Sequence, residues 1–429
     1  MIKRYFKFEE MQTNYSTEIM AGITTFMTMA YIIFVNPVIL SNAGMPAEGV
    51  LFATCLSSAL ATLVMGLYAN YPFALAPGMG INAYFVCVCQ STGISWEVAL
   101  GLVFFSGIGF LILTVTKLRS LMLRIVPESI IFATSVGIGL FIAFIGLQYA
   151  KIIVPRAETY VALGDLANKE VLLAIFGLFL TCALIVRQIK GAIFLGILLT
   201  TGVAICLGIT HFPFTLIGIP DWKSTFLKLD ISSALELGLL NVVFTFLFVN
   251  LFDNIGTLAG VGTQGNFYKD GDLPRSDKAL TSDATGTIIG SLLGTSTVTT
   301  YIESASGVAV GGRTGFVSVV VAIFFLLAIF FSPLIEIIPK AATAPALILV
   351  GSLMMQNVSK IFWNDPSEGI PAFLTIITMP LTYSIANGLA IGFISYTLIK
   401  LFSGEGSFVH WLVYLLSLLF ILKFILLGA

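Results

Sequence analysis

Charged residues make up only 10% of this 429-residue chain, and histidine occurs just twice. A soluble domain carries roughly 25% charged residues, so the shortfall excludes a water-soluble fold. The two histidines, His211 and His410, stand alone and offer no constellation for a metal centre or a histidine-based catalyst. Cysteine is nearly as sparse. Cys55, Cys87, Cys89, Cys182 and Cys206 all lie in apolar segments without metal-ligand spacing, and Cys87-Val-Cys89 is too close for a usual disulfide. They read as buried free thiols. Neither sign of charge is in excess. A formal net charge of −1 leaves no bulk field to attract nucleic acid.

What the chain does contain is apolar sequence, 58% of residues with a mean hydropathy of +1.01. Windows of about 20 apolar residues recur many times, the mark of a polytopic helical membrane protein. The first follows the polar stretch MIKRYFKFEEMQTNYSTE and lacks a small-residue cleavage pattern, so it reads as a retained helix. Spans are predicted near 20–40, 50–69, 80–90, 97–117, 129–149, 170–187 and 189–208, then near 236–262, 280–293, 302–312, 315–335, 342–357, 369–386 and 388–403. A further apolar run, 407–428, is left over. Two spans, 80–90 and 302–312, are too short to cross alone. Each follows a strand-like stretch, FALAPGM (Phe73–Met79) and TSTVTTY (Thr295–Tyr301).

That pairing points to a repeat. Phe34-Val35-Asn36 recurs as Phe248-Val249-Asn250. IVP ending at Pro127 recurs as IIP ending at Pro339, and a glycine, Gly139 or Gly351, follows each twelve residues later. Both short spans fall between these markers. A duplicated set of seven spans is odd in number, so the second copy enters from the opposite side and the repeats are inverted. With the N-terminus inside, fourteen Lys and Arg residues fall on cytoplasmic positions and six on external ones, as the positive-inside rule asks. Among the cytoplasmic ones are Lys117, Arg119, Arg124 and Lys269, and Lys423 stays unassigned. The sequon at Asn14-Tyr15-Ser16 is then cytoplasmic and without meaning.

The chemistry should lie in the few acids placed inside spans, each of which costs about 2.5–3.5 kcal/mol on insertion scales. Glu97, Glu128 and Glu236 sit at span ends near water and need no special role. Asp253, in FLFVNLFDNIGTLAG, lies deep in the eighth span, and Glu303 opens the tenth. Both point to binding or proton transfer, against the plainer alternative of a hydrogen-bonded structural acid. Asp283, near the start of the ninth span, reads as an N-terminal helix cap beside Ser282. Unwound backbone is tolerated at membrane depth where it lines a cavity. Paired leads followed by two short helices would aim free N–H groups at one point. A neutral polar solute with carbonyl or ring-nitrogen acceptors could take those N–H groups, while Glu303 and Asp253 accept its N–H donors. Asn82, which the repeat offset sets opposite Glu303, can both donate and accept. Tyr301 or Phe73 could stack on a flat ring or simply pack. Gly260-Val-Gly262-Thr-Gln-Gly265 matches a GxGxxG spacing but closes an apolar helix, so it is no dinucleotide site.

The motifs TTYIESASGVAVGGRTG, LFDNIGTLAG, SDATGTIIGSLLGTSTVTTYIES and YPFALAPGMGINAYF resemble the AzgA-like purine nucleobase permeases of the nucleobase:cation symporter-2 superfamily. The likeness runs over nearly the whole chain. It implies an all-α polytopic fold of about fourteen segments, arranged as two inverted seven-helix repeats with short strands before half-helices in segments 3 and 10, the UraA-like fold. It also implies a cytoplasmic segment 1–19, a core domain (20–118 and 236–334) and a gate domain (119–235 and 335–429) past which the core slides. In the related uracil carriers the eighth-span motif is Glu-His-x-Gly-His. Here it reads Asp253-Asn254-Ile255-Gly256-Thr257, which fits the purine branch. The candidate substrate-binding set is Asp253, Glu303, Asn82, Tyr301, Ser304 and Thr257, with Glu303 and Asp253 carrying the proton and Asp283 structural or coupling.

The expected function is import of purine nucleobases by proton symport with alternating access. It needs no cofactor beyond the proton and no nucleic-acid partner. The setting is the inner membrane with the N-terminus cytoplasmic, and a homodimer is possible. Rival readings are an anion carrier of the same fold, which two acids would repel, a channel, and a membrane-embedded enzyme, for which no nucleophile–base pair is present.

Overall fold

In this computed structural model, which describes residues 2–116, 126–211, 217–235, 240–267, 273–334 and 337–427, the apolar runs are helices in the expected order. Lys117, Arg119, Arg124, Glu236 and Lys269 lie outside the described residues. The first segment is α1 (Tyr15–Met29) followed by α2 (Ile32–Leu40), the second α3 (Ala47–Val64). The third is strand β1 (Leu75–Pro77) leading into α4 (Met79–Thr92), and the fourth is α5 (Trp96–Val115). Then come α6 (Glu128–Tyr149), a hairpin of β2 (Ile153–Arg156) and β3 (Tyr160–Leu163), α7 (Lys169–Val186) and α8 (Ala192–Cys206). The second half brings α9 (Leu240–Gln264), α10 (Ser276–Leu293), strand β4 (Val298–Thr300) with α11 (Ser304–Ala309), and α12 (Gly315–Ala328). It closes with α13 (Lys340–Met354), α14 (Pro366–Leu381), α15 (Ile385–Phe402) and α16 (Trp411–Leu427). Among the described residues seven helices are long and apolar enough to cross a membrane, and shorter apolar helices accompany them.

Polar caps and glycines set the helix ends. The Asn14 side chain accepts the Thr17 N–H at 3.0 Å to start α1, and the Thr314 hydroxyl does the same for Phe316 in α12. Gly294 ends α10 at φ +101°, where a Cβ would lie 2.3 Å from that of Thr225, so both conformation and space demand glycine.

The chain falls into two compact units, Met1–Val115 with Tyr149–Ala346, and Thr116–Gln148 with Leu347–Ala429. α7 and α8 belong to the first, whereas the sequence reading grouped them with the gate segments. Two repeat markers meet inside the second unit. A Cβ on Gly351 would stand 2.3 Å from the Gly139 carbonyl oxygen, and one on Gly139 would stand 2.8 Å from that of Gly351. Small residues let these two backbones touch, as close helix pairs in membranes require. The second unit also accounts for the leftover run. It forms α16, joined to α15 by the Thr397–Ser417 hydroxyl pair at 2.6 Å.

In the first unit the other markers play matching parts. Asn36 donates to Thr54 of the next segment at 2.7 Å, and Asn250 donates to Thr287 of its next segment at 3.2 Å. The strand leads pair antiparallel, Leu75 with Thr300, Ala76 with Thr299 and Pro77 with Val298. Every one of these six residues except Pro77 carries a backbone donor, and none could stay unpaired at membrane depth without cost.

Candidate functional site

The strand pair gathers most of the predicted residues, and it uses up more hydrogen-bonding capacity than the sequence implied. Leu75 N–H donates to the Thr62 hydroxyl at 2.9 Å, which donates back to the Leu75 carbonyl at 3.1 Å. Gly78 N–H donates to Thr297, and Tyr301 N–H to Ala74, both at 2.9 Å. The Asn254 carbonyl oxygen accepts from the Thr299 hydroxyl at 2.7 Å and the Thr300 N–H at 3.3 Å, while its amide donates to Asn250 at 3.1 Å. Asn254 thus fastens the eighth segment to β4, a role that sequence reasoning passed over because an amide inside a helix gave no signal of its partner.

Several predicted ligands are drawn into this scaffold. Asn82 is fully buried, donates to Asn36 at 2.5 Å and accepts from the Ser296 hydroxyl. It closes a polar network with Asn36, Thr54 and Thr295 instead of facing Glu303. Tyr301 is 6% exposed, and its hydroxyl donates to the Pro77 carbonyl at 2.5 Å, bridging the two leads. The Ser304 hydroxyl accepts the Ala74 N–H at 2.9 Å. Phe73 is stacked on Tyr71 at 4.7 Å between centroids and meets the edge of Phe267 at 5.8 Å, so its faces are covered. The N–H groups of Ser304, Ala305 and Ser306 close tight turns onto Tyr301, Ile302 and Glu303, correcting the expectation that they are free. At the head of α4, by contrast, the Asn82 N–H closes onto Gly78 while the N–H groups of Met79, Gly80 and Ile81 have no backbone acceptor among the described residues.

Asp283 also needs correction. α10 begins at Ser276, so Asp283 is two turns inside the helix and caps nothing. It is wholly buried and accepts the Thr300 hydroxyl at 2.8 Å, tying the ninth segment to β4.

Asp253 and Glu303 lie beside this scaffold. Both are half-buried, and among the described residues no cation is ion-paired with either. Asp253, Thr257 and Gly260 follow one another at helical spacing on one face of α9. A Cβ on Gly260 would lie 3.0 Å from Ile302 Cδ1, so this face looks toward the residue before Glu303. A Cβ at Gly78 would lie 2.9 Å from Thr299 Cγ2, so glycine there lets β4 come close, and 3.9 Å from Asp253 Oδ2, which sets the head of α4 beside this acid. Glu303 sits at the head of α11 without capping it. One of its carboxylate oxygens accepts the Tyr31 hydroxyl at 2.5 Å. Tyr31 belongs to the first segment, at the break between α1 and α2. Ionised carboxylates only accept hydrogen bonds, so this pair of acids suits a solute that presents N–H donors and carries no negative charge.

A second buried acid anchors the half-helix from its far end. Glu18 is 0% exposed and accepts from the Arg313 N–H at 2.9 Å, the Thr13 hydroxyl at 2.8 Å and the Thr314 hydroxyl at 2.6 Å. It holds the turn between α11 and α12 against the start of α1.

A family model described as "Permease family" matches residues 16–391. The chain is 58% identical to a permease of Methanocaldococcus jannaschii, over 100% of this chain and 99% of that one. It is 43% identical to the adenine permease AdeP of Escherichia coli (100% and 97% covered) and 44% identical to the guanine/hypoxanthine permease PbuG of Bacillus subtilis (99% and 99%). In fold it is similar to the transmembrane domain of the cyanobacterial bicarbonate transporter BicA, with a TM-score of 0.68 at 15% identity over 88% of this chain and 97% of that one.

Proposed function

We propose, for a chain that belongs to the nucleobase:cation symporter-2 family of permeases, that the cargo is a purine nucleobase, adenine or guanine and hypoxanthine, taken up with protons. The observation that carries the reading is the pair of carboxylates, Asp253 and Glu303, beside two paired strands and with no ion-paired cation among the described residues. Glu303 takes an N–H of the base, and Asp253 takes a second N–H or the transported proton. The head of α4 supplies backbone donors to a ring nitrogen or carbonyl. A sulfate or dicarboxylate would meet two like charges here, with no ion-paired cation among the described residues to offset them. The shared fold of a bicarbonate transporter does not alter that argument, because fold does not determine cargo.

Broken segments at mid-membrane suit alternating access, in which the core carrying the strand pair moves against the gate. The test is uptake of radiolabelled adenine, guanine and hypoxanthine into proteoliposomes holding the purified protein. Uptake of at least one should saturate and rise with an inward proton gradient, while uracil and sulfate compete poorly. Sulfate or dicarboxylate uptake without purine uptake would refute the proposal.

A further inference from the structure

We propose that Tyr31 is a positioning residue for substrate recognition, holding one oxygen of the Glu303 carboxylate so that the other is presented to the base. The inference rests on the reading of Glu303 as a base-binding acid.

Tyr31 lies in an apolar run and is wholly buried, so packing alone would be served by phenylalanine. Its hydroxyl, however, meets Glu303 directly. A phenol facing an ionised carboxylate can only donate, and such charge-assisted bonds are about twice as strong as neutral ones. The break of the first segment at Ala30 and Tyr31 is where the hydroxyl is delivered.

A second contact fixes the register. Thr28, three residues before Tyr31, pairs its hydroxyl with that of Ser306 at 2.9 Å. Ser306 is in turn three residues after Glu303. Residues three apart on a helix share a face, so one face of the first segment grips one face of α11 at two points. Glu18 holds the turn beyond α11 from the other end of α1. α11 therefore cannot slide along α1, and the remaining freedom at Glu303 is rotation of its own carboxylate. The Tyr31 hydroxyl removes that freedom. A carboxylate fixed in this way meets the base without ordering itself first, which is where preorganised sites gain affinity.

The experiment is a double-mutant cycle on the purified full-length protein, measuring adenine, guanine and hypoxanthine binding by calorimetry. Tyr31→Phe should weaken the preferred base about tenfold, or about 1.4 kcal/mol, with an unchanged unfolding midpoint. In a Glu303→Gln background the same change should cost clearly less, because the amide oxygen left there is a neutral acceptor and the charge that strengthens the bond is gone. Difluorotyrosine placed at position 31 keeps the hydroxyl and makes it a stronger donor, and it should bind at least as tightly as the unmodified protein. Wild-type affinity in Tyr31→Phe overturns the proposal. So does an equal loss in both backgrounds, which would mark a packing role, and so does a loss with difluorotyrosine equal to that with phenylalanine. Wild-type affinity in Glu303→Gln alone removes the base-binding reading and this inference with it, whereas a weak Glu303→Gln beside an intact Tyr31→Phe removes only this inference.

Discussion

In the third segment a three-residue strand leads into a fourteen-residue helix, whereas in the tenth an equally short strand leads into only six helical residues. Glu303 stands just before α11, where Gly78 stands before α4, and Asn82, which the sequence reading set opposite Glu303, lies within the first turn of α4. Asn82 is fully buried, with its amide shared between Asn36 and Ser296. Glu303 is half-buried and has one anchoring hydroxyl, from Tyr31. One copy of a duplicated element has thus become scaffold, its polar group satisfied internally. The other keeps a charge with acceptor capacity to spare. Symmetry of the chain carries over to the backbone and ends at the chemistry.

The largest effect that could break this comparison is expected at Glu303. Glu303→Gln keeps the shape but turns part of an acceptor edge into a donor. A lost hydrogen bond to a charged group is worth roughly 1.5–3 kcal/mol, about ten- to a hundredfold in affinity. Purine binding by calorimetry should fall by that factor with protein yield unchanged. At Asn82 the expected loss is of a different kind. Asn82→Ala leaves Asn36 and Ser296 with buried unpaired groups, a cost of about 1–3 kcal/mol in stability, while purine affinity in the folded fraction should stay within about threefold. If affinity falls as far as in Glu303→Gln, the two halves contribute alike and the contrast is wrong. The smallest change concerns the bridge between the halves. Tyr301→Phe removes the bond to the Pro77 carbonyl, worth about 0.5–1.5 kcal/mol. It should lower the unfolding midpoint slightly and leave the affinity ratio between adenine and guanine unmoved. A changed ratio would place the Tyr301 hydroxyl at the base instead of at the strand.

Both broken segments were legible because their leads interrupt apolar sequence with recognisable residues. Pro77 and Gly78 stop one helix, and the β-branched run from Thr297 to Thr300 favours a strand before the other. The break of the first segment had no such sign. Ala30 and Tyr31 stand among apolar neighbours, and nothing local tells that the hydroxyl of Tyr31 reaches a residue of the opposite repeat. Asp283 was misplaced because the charged start of α10, with Asp277 and Lys278, reads as a loop although the helix already begins at Ser276. Glu18 falls in the polar stretch before the first span and gives no sign of its burial, since burial of a carboxylate depends on which N–H and O–H groups the rest of the fold brings to it. Asp253 and Glu303 stood out for the opposite reason. An acid within an apolar run is costly enough to need a role wherever its partners lie.

The pairing of Leu75 with Thr300 has a consequence for how the protein is made. Strand partners half a chain apart cannot meet while the first of them is entering the bilayer, and long-range closures of this sort come late in assembly. During synthesis Thr62 is already present and can hold both polar groups of Leu75, as it does in the finished protein. The rest of β1 must wait for the ninth and tenth segments to be inserted. A nascent chain released before Thr300 would carry a helix that begins in mid-bilayer with no strand beside it, a natural target for membrane quality control. The strand pair beside Asp253 and Glu303 is therefore among the last parts of the molecule to come into existence.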